Sequence, residues 1–335
     1  MIGTANGSPK ISITGLGCSV PDRVVTNADL SKLVDTSDEW IMTRTGIRER
    51  RLAEPGTLSM SELALPAAQQ ALAQAGVDPK EIDVLIVATV TPDMAFPATA
   101  AILADKLGMP DAGAYDLSAG CTGFMYAIAQ AYGMIGAGLA RKALVIGGDV
   151  LSSILDWTDR STLVLFGDGA GAVVLEHVQE GGFLGFELGA DGAGGMHLWL
   201  PGSGSRKFDD PERFVKMNGR EVFKFATRIL VESANKLLRE CGLTVEDVDV
   251  YVPHQANVRI IDHAAHKLGF PKEKVVVNVD RYGNTSSGSI PLALADADAD
   301  GRLEPGSLVL MTGMGAGLTW GSSLMEWTNG NGRTA

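Results

Sequence analysis

Two stretches of this 335-residue chain repeat one another in order. Ala75-Gly-Val-Asp-Pro-Lys-Glu-Ile-Asp-Val84 runs into the apolar Leu85–Ala88, and Cys241-Gly-Leu-Thr-Val-Glu-Asp-Val-Asp-Val250 runs into Tyr251-Val-Pro-His254. Gly76 pairs with Gly242 and Asp83 with Asp249, each 166 positions on. A helical stretch then ends in Lys106-Leu-Gly-Met-Pro110 in one copy and Lys267-Leu-Gly-Phe-Pro271 in the other. Gly120-Cys121 faces Gly283-Asn284, and Ala143-Leu-Val-Ile146 faces Ser307-Leu-Val-Leu310. A shared order of helix, strand, helix, strand predicts two copies of one α/β unit, divided as residues 1–180 and 181–335. The short apolar runs Val84–Ala88, Leu144–Ile146 and Leu308–Met311 read as buried parallel strands. The stretches Glu62–Ala75, Thr122–Gly136 and Val222–Arg239 read as crossover helices.

Under this pairing His254 takes the place of Ala88 at a strand end, and Asn284 takes the place of Cys121 at a helix start. A pseudo-twofold arrangement would gather Cys121, His254 and Asn284 at one centre. Singly, each has an ordinary reading: a lone Cys is buried packing, a lone His is a satisfied core residue, and Gly-Asn-Thr-Ser is turn chemistry. Together on matched scaffolds they are strong evidence for a single site built around the Cys121 thiol. The start of a helix favours thiolate; a dipole contribution of about 2 kcal/mol would lower the Cys121 pKa by about 1.5 units.

Composition narrows the class. The three cysteines, Cys18, Cys121 and Cys241, are too few and too odd for a disulfide framework and point to a reducing, cytoplasmic setting. The opening residues do not resemble a signal peptide, and no run of about 18 apolar residues is present, so no membrane association is expected. A net charge of −12 argues against nucleic-acid binding by the bulk surface. His263 and His266 with Asp262 lack further matched ligands, so no metal is expected. The Gly-rich runs Gly167–Gly171 and Gly313–Gly317 lack dinucleotide-binding spacing, and no cofactor is expected.

Several motifs carry a closer resemblance: Asp35-Thr-Ser-Asp-Glu-Trp40, Thr43-Arg-Thr-Gly-Ile-Arg-Glu-Arg50, Asp116-Leu-Ser-Ala-Gly-Cys-Thr-Gly-Phe124, Thr158-Asp-Arg160, Phe166-Gly-Asp-Gly-Ala-Gly171, Pro253-His-Gln-Ala-Asn257 and Gly283-Asn-Thr-Ser286. Nearly end to end the chain resembles the β-ketoacyl-acyl-carrier-protein synthase III family, the initiating condensing enzymes of bacterial fatty-acid synthesis within the thiolase-like superfamily. The resemblance implies a duplicated five-layered αβαβα fold, a homodimer, and a catalytic triad of Cys121, His254 and Asn284. It implies that a primer acyl-CoA acylates Cys121, and that malonyl-acyl-carrier protein then loses carbon dioxide and attacks to give a 3-oxoacyl-carrier protein. CoA thioester is a substrate in this scheme. The backbone N–H groups of Cys121 and Ala316 would form the oxyanion hole, with Ala at 316 serving if its φ is negative.

The resemblance also assigns Trp40 and Arg160 to the two faces of the CoA adenine, with Thr36 and Arg44 beside them. It gives Val90, Leu151 and Phe166 to the acyl pocket and has Phe96 reach across the dimer. Arg220, Lys224 and Arg228 recur every four residues as one helical stripe. With Arg259 and Lys267 they are candidates for docking an acidic carrier protein; a solvated charge face is the plain alternative. Asn284 separates this family from elongating ketosynthases, which place a second His there, and no Cys follows Cys241 as a thiolase requires. Two alternatives stay open: a cysteine hydrolase, since Cys, His and Asn occur in papain-like order with His 133 residues after Cys, and a related synthase that primes a polyketide or other secondary metabolite.

Overall fold

The repeat reappears as two sheets with one strand order. A computed structural model describes residues 2–3, 9–202, 204–206 and 213–328. The first sheet contains β1 (Ile11–Ser19), β2 (Val84–Ala88), β3 (Gly113–Leu117), β4 (Lys142–Asp149) and β5 (Gly169–His177). The second contains β6 (Gly182–Ala190), β7 (Val250–Pro253), β8 (Leu308–Gly315) and β9 (Thr319–Glu326). Their orders are β1-β5-β4-β2-β3 and β6-β9-β8-β7, with Ile2–Gly3 added beside β6. In each, the first two pairings are antiparallel and the next is parallel. The expected strands pair in parallel, β2 with β4 and β7 with β8, but β4 and β8 are antiparallel to β5 and β9 on their other side, and the parallel strand β3 was not expected. The antiparallel strands β1, β5, β6 and β9 carry no comparable repeat in the sequence. In place of β3 the second sheet has only a parallel bridge between Tyr251 and Val275.

Among the described residues seven helices have eight residues or more: α1 (Asp38–Thr45), α2 (Met60–Ala75), α3 (Thr99–Leu107), α4 (Gly123–Gly136), α5 (Gly219–Cys241), α6 (Val258–Leu268) and α7 (Ser289–Ala299). Helices α2 and α3 cover the outer face of the first sheet, and α5 and α6 cover that of the second. Between the sheets lie α4 and α7, whose buried Phe124, Met125, Ile128, Ile290 and Leu294 join one core with both sheets. This is the five-layered αβαβα arrangement, and each fully buried aliphatic side chain in its centre contributes about 1.5–3 kcal/mol.

The repeated glycines have a local cause. Gly76 and Gly242 end α2 and α5 in the left-handed conformation, and Gly108 and Gly269 end α3 and α6 the same way. Only glycine takes these φ values without a Cβ penalty. The helix starts lie slightly before the expected ones because Ser59 and Asn218 cap them, each accepting a backbone N–H three residues on. Both central helices begin at the same end of the molecule, where β2 and β7 also end, and that convergence defines the site.

Candidate active site

Cys121 sits on the helical turn Gly120–Thr122, which runs directly into α4. The turn presses against the end of β8. A Cβ on Gly315 would lie 2.6 Å from the Cys121 nitrogen, and one on Gly120 would lie 2.9 Å from the Ala316 nitrogen. Backbones can approach this closely only where both residues lack side chains. The result is that the backbone of Ala316 is held beside that of Cys121. Ala316 does this without left-handed geometry, since Ser286 is the one non-glycine residue with positive φ among those described. Thr319 Oγ1 stitches the turns together, 2.9 Å from the Ala119 carbonyl and 2.8 Å from that of Ala316.

The expected lowering of the Cys121 pKa is corrected by its surroundings. The thiol is buried, no cation faces it, and the Asp149 carboxylate lies nearby; burial pushes it up to about 11. Sequence shows a helix start but not the desolvation that outweighs it.

His254 follows β7, its N–H donating to the Thr312 carbonyl at 2.7 Å. Its Nδ1 lies 2.5 Å from Ser289 Oγ, the first residue of α7. That hydroxyl already accepts the Gln255 N–H at 3.3 Å, so its proton is free for Nδ1. With the Ser289 hydroxyl donating to Nδ1, the ring hydrogen would sit on Nε2. Burial lowers the imidazole pKa to about 4, which keeps it neutral near pH 7. Gln255 locks the loop: its Nε2 donates to the Pro253 and Val276 carbonyls, and its Oε1 accepts from the N–H groups of Asn278 and Val279.

Asn284 precedes α7 as Cys121 precedes α4. Its Oδ1 accepts the Ser286 N–H at 2.9 Å, which leaves the NH2 end as the donor. Its backbone pairs with that of Phe166 through Leu165 and Gly167. Cys121, His254 and Asn284 together line a passage of about 120 Å³ with Phe166, Phe223 and Met314. Cys121 also opens on a second cavity of about 600 Å³ lined by Val90, Leu151, Ile154, Phe166, Leu198 and Val215. Cys121 therefore stands where a narrow passage meets a larger chamber.

The remaining candidates fall in three places. Trp40 is half-buried, with Arg44 and Arg160 guanidinium groups 4.4 and 4.7 Å from its ring centroid. Arg160 also donates to the Asp35 carbonyl, and the buried Thr36 hydroxyl beside it has no partner. Phe96 is not among the residues lining the chamber; at 85% exposure its ring points away into solvent. Arg220, Lys224 and Arg228 form the expected exposed stripe on α5, but Lys224 is paired with Glu221 and Arg228 with Glu232. Arg259 and Lys267 are exposed on α6, and Arg259 stacks over Phe223 at the mouth of the passage. Sequence reasoning missed Ser289, Gln255 and Thr319. For Gln255 a signal existed, its place beside His254; the other two are read only from contacts across the fold.

Known proteins share this arrangement. Two family models match, 3-oxoacyl-[acyl-carrier-protein] synthase III over residues 115–192 and its C-terminal part over residues 238–327. A β-ketoacyl-[acyl-carrier-protein] synthase III of Symbiobacterium thermophilum is 55% identical over 95% of this chain and 98% of that protein. The crystal structure of 3-oxoacyl-[acyl-carrier-protein] synthase III from Aquifex aeolicus VF5 is similar with a TM-score of 0.90 at 45% identity, covering 95% of this chain and all of that one. The priming β-ketosynthase of the R1128 polyketide pathway is similar with a TM-score of 0.89 at 38% identity, covering 95% of this chain and 96% of that one. With its αβαβα layers and its Cys, His and Asn at one centre, the chain belongs to the β-ketoacyl-acyl-carrier-protein synthase III family and is an acyl-transferring condensing enzyme that initiates fatty-acid synthesis.

Proposed function

We propose that this enzyme joins a short primer acyl-CoA to malonyl-acyl-carrier protein through an acyl-Cys121 intermediate, releasing CoA and carbon dioxide. The observation that carries this reading is the meeting of Cys121, His254 and Asn284 on one passage, with the Ala316 backbone packed against the Cys121 turn at the junction of passage and chamber. Thiolate attack on the thioester builds negative charge on its oxygen, and each preorganised N–H contributes about 3–4 kcal/mol there. The acyl group lies in the chamber. The malonyl thioester enters by the passage. When it loses carbon dioxide the charge moves onto its thioester oxygen, where the His254 Nε2–H and the Asn284 NH2 donate. The enolate carbon then attacks the acyl carbonyl and expels Cys121.

Trp40 with Arg160 and Arg44 offers a planar and cationic face for the adenine and phosphates of CoA, which enters as substrate; the scheme calls for no resident cofactor. Arg259 beside the passage, with Lys267 and the Arg220, Lys224 and Arg228 stripe, suits an acidic carrier. The exposed Phe96 supports a homodimer in which it closes the partner's chamber.

Incubation with a panel of acyl-CoAs followed by intact-mass measurement should show one added acyl group on Cys121. Malonyl-carrier protein should then discharge it as the 3-oxo product. Cys121→Ala should lower turnover by about 10⁶-fold. An acyl group retained by that variant would overturn the scheme, as would hydrolysis in place of condensation.

A further inference from the structure

Among the described residues the largest fully buried side chain is a cation, Arg50, in the short strand Glu49–Arg51. No carboxylate among those residues forms an ion pair with it; its neighbour Glu49 pairs with Arg51 instead. Burial lowers its pKa to about 10, so it stays charged near pH 7. Its Nε has no hydrogen-bond partner. An apolar side chain of similar volume would fill this space without burying a lone charge, so packing alone does not account for a guanidinium here.

What the guanidinium holds is specific. One terminal nitrogen donates to the Val25 carbonyl at 3.2 Å and to Asn27 Oδ1 at 2.9 Å, and the other donates to the Val164 carbonyl at 2.9 Å. The buried Asn27 amide passes the link on: its Nδ2 donates to Asp38 Oδ1 at 2.8 Å and to the Ile47 carbonyl at 2.8 Å. Asp38 opens α1, and Ile47 follows the Gly46 that ends it, so one amide grips both ends of the helix that carries Trp40 and Arg44. Val164 closes the helical turn Arg160–Leu163. The path from Asp38 through Asn27 and Arg50 to Val164 therefore joins, through the interior, the two segments whose side chains meet at Trp40.

The outer contact between these segments is of another kind. The Arg160 guanidinium lies 4.7 Å from the Trp40 ring centroid and donates to the Asp35 carbonyl at 2.6 Å, with its side chain 43% exposed. A planar base entering between Trp40 and Arg160 must displace that guanidinium. Apolar packing of Ile41 and Leu163 in one core cluster remains, but it is non-directional. The buried hydrogen bonds then keep the two backbones at one separation. The stem of Arg50 has a different neighbour: a Cβ on Gly283 would lie 3.2 Å from Arg50 Cβ, and one on Gly167 3.3 Å. A substitution that keeps the stem leaves this packing beside Asn284 in place.

We propose that Arg50, acting through Asn27, is a positioning residue for CoA: it fixes the separation of α1 and the Arg160 turn, so that Trp40 and Arg160 are preorganised for the nucleotide end of acyl-CoA. Preorganisation removes part of the ordering cost of binding. Its loss falls on the capture of CoA and not on the chemistry at Cys121.

This inference rests on the reading of Trp40 and Arg160 as the CoA site, and the test separates the two. Acetyl-CoA is compared with acetyl-pantetheine, which presents the same thioester without the nucleotide. Single-turnover acylation, read by intact mass, gives a half-saturating concentration and a limiting rate for each. Arg50→Met keeps the buried stem and removes the donors. Its half-saturating concentration for acetyl-CoA should rise about tenfold, with the limiting rate within about twofold of wild type and acetyl-pantetheine unaffected. Asn27→Ala cuts the same path beyond Arg50 and should reproduce the split, and it carries the test if Arg50→Met does not fold. Arg50→Lys, which keeps the charge and part of the donor set, should recover some of the loss. Wild-type capture of acetyl-CoA by these variants, or an equal loss with both thioesters, overturns the positioning role. A Trp40→Ala enzyme that favours acetyl-CoA over acetyl-pantetheine as strongly as wild type overturns the CoA-site reading instead.

Discussion

The Cys121 turn and the Asn284 turn occupy equivalent places, each a short helical turn feeding one of the two central helices. They are held in different ways. The first is a backbone contact: Gly120 and Gly315 let two segments of backbone touch beside the sulfur. The second is held by side chains: Asn284 Oδ1 is captured by Ser286, whose own conformation is strained. The strand ends diverge in parallel, with Ala88 in one half and His254 in the other. A duplicated scaffold thus supplies two similar corners, to which the proposed scheme gives different tasks: one carries the acyl group and the other donates hydrogen bonds.

If the corners are separable, damage to one should spare the half-reaction of the other. Asn284→Asp keeps the shape but puts an anionic acceptor where a donor faces the enolate. Condensation should fall by about 10²–10³-fold, with acyl-Cys121 formation changed only a few fold. Equal losses in acylation and in malonyl consumption would merge the two corners into one. His254 sharpens the contrast through stability. Its folded pKa of about 4 lies below the ordinary 6.5, so the folded state binds fewer protons than the unfolded one. The stability it contributes is present above pH 6.5 and is lost as pH falls toward 4, by about 3 kcal/mol. Denaturant melts should show this decline, and His254→Gln should flatten it; an unchanged slope would mean the imidazole is not held neutral. The smallest effect is expected farthest from the chemistry. Trp40→Ala should raise KM for acyl-CoA about tenfold while pre-acylated enzyme reacts normally with malonyl-carrier protein. A matching loss in that second step would deny Trp40 a role confined to CoA.

Much of this was legible before any coordinates. The repeat predicted the parallel strands β2, β4, β7 and β8, the crossover helices and the convergence of Cys121, His254 and Asn284, because helix C-caps and strand ends leave short, position-bound signatures such as Gly76 and Gly242. The antiparallel strands were not legible. Runs such as Gly169–His177 and Gly182–Ala190 are buried by neighbours remote in sequence, and Gly-rich strands lack strong periodicity. The state of the thiol was misjudged for a related reason. A helix start is written locally, whereas the burial that raises Cys121 depends on segments remote in sequence, such as Gly315 and Ala316 packed against it.

The contact between Gly120 and residues 315–316 also bears on how the protein is made. During synthesis the nucleophile emerges long before the segment that supplies the Ala316 N–H and the loop that supplies Ser286. Until the last strands join the second sheet, Cys121 lacks the Ala316 backbone beside it. On the proposed scheme a nascent or half-degraded chain would therefore not draw on CoA thioesters, because the site is assembled only with the completed fold.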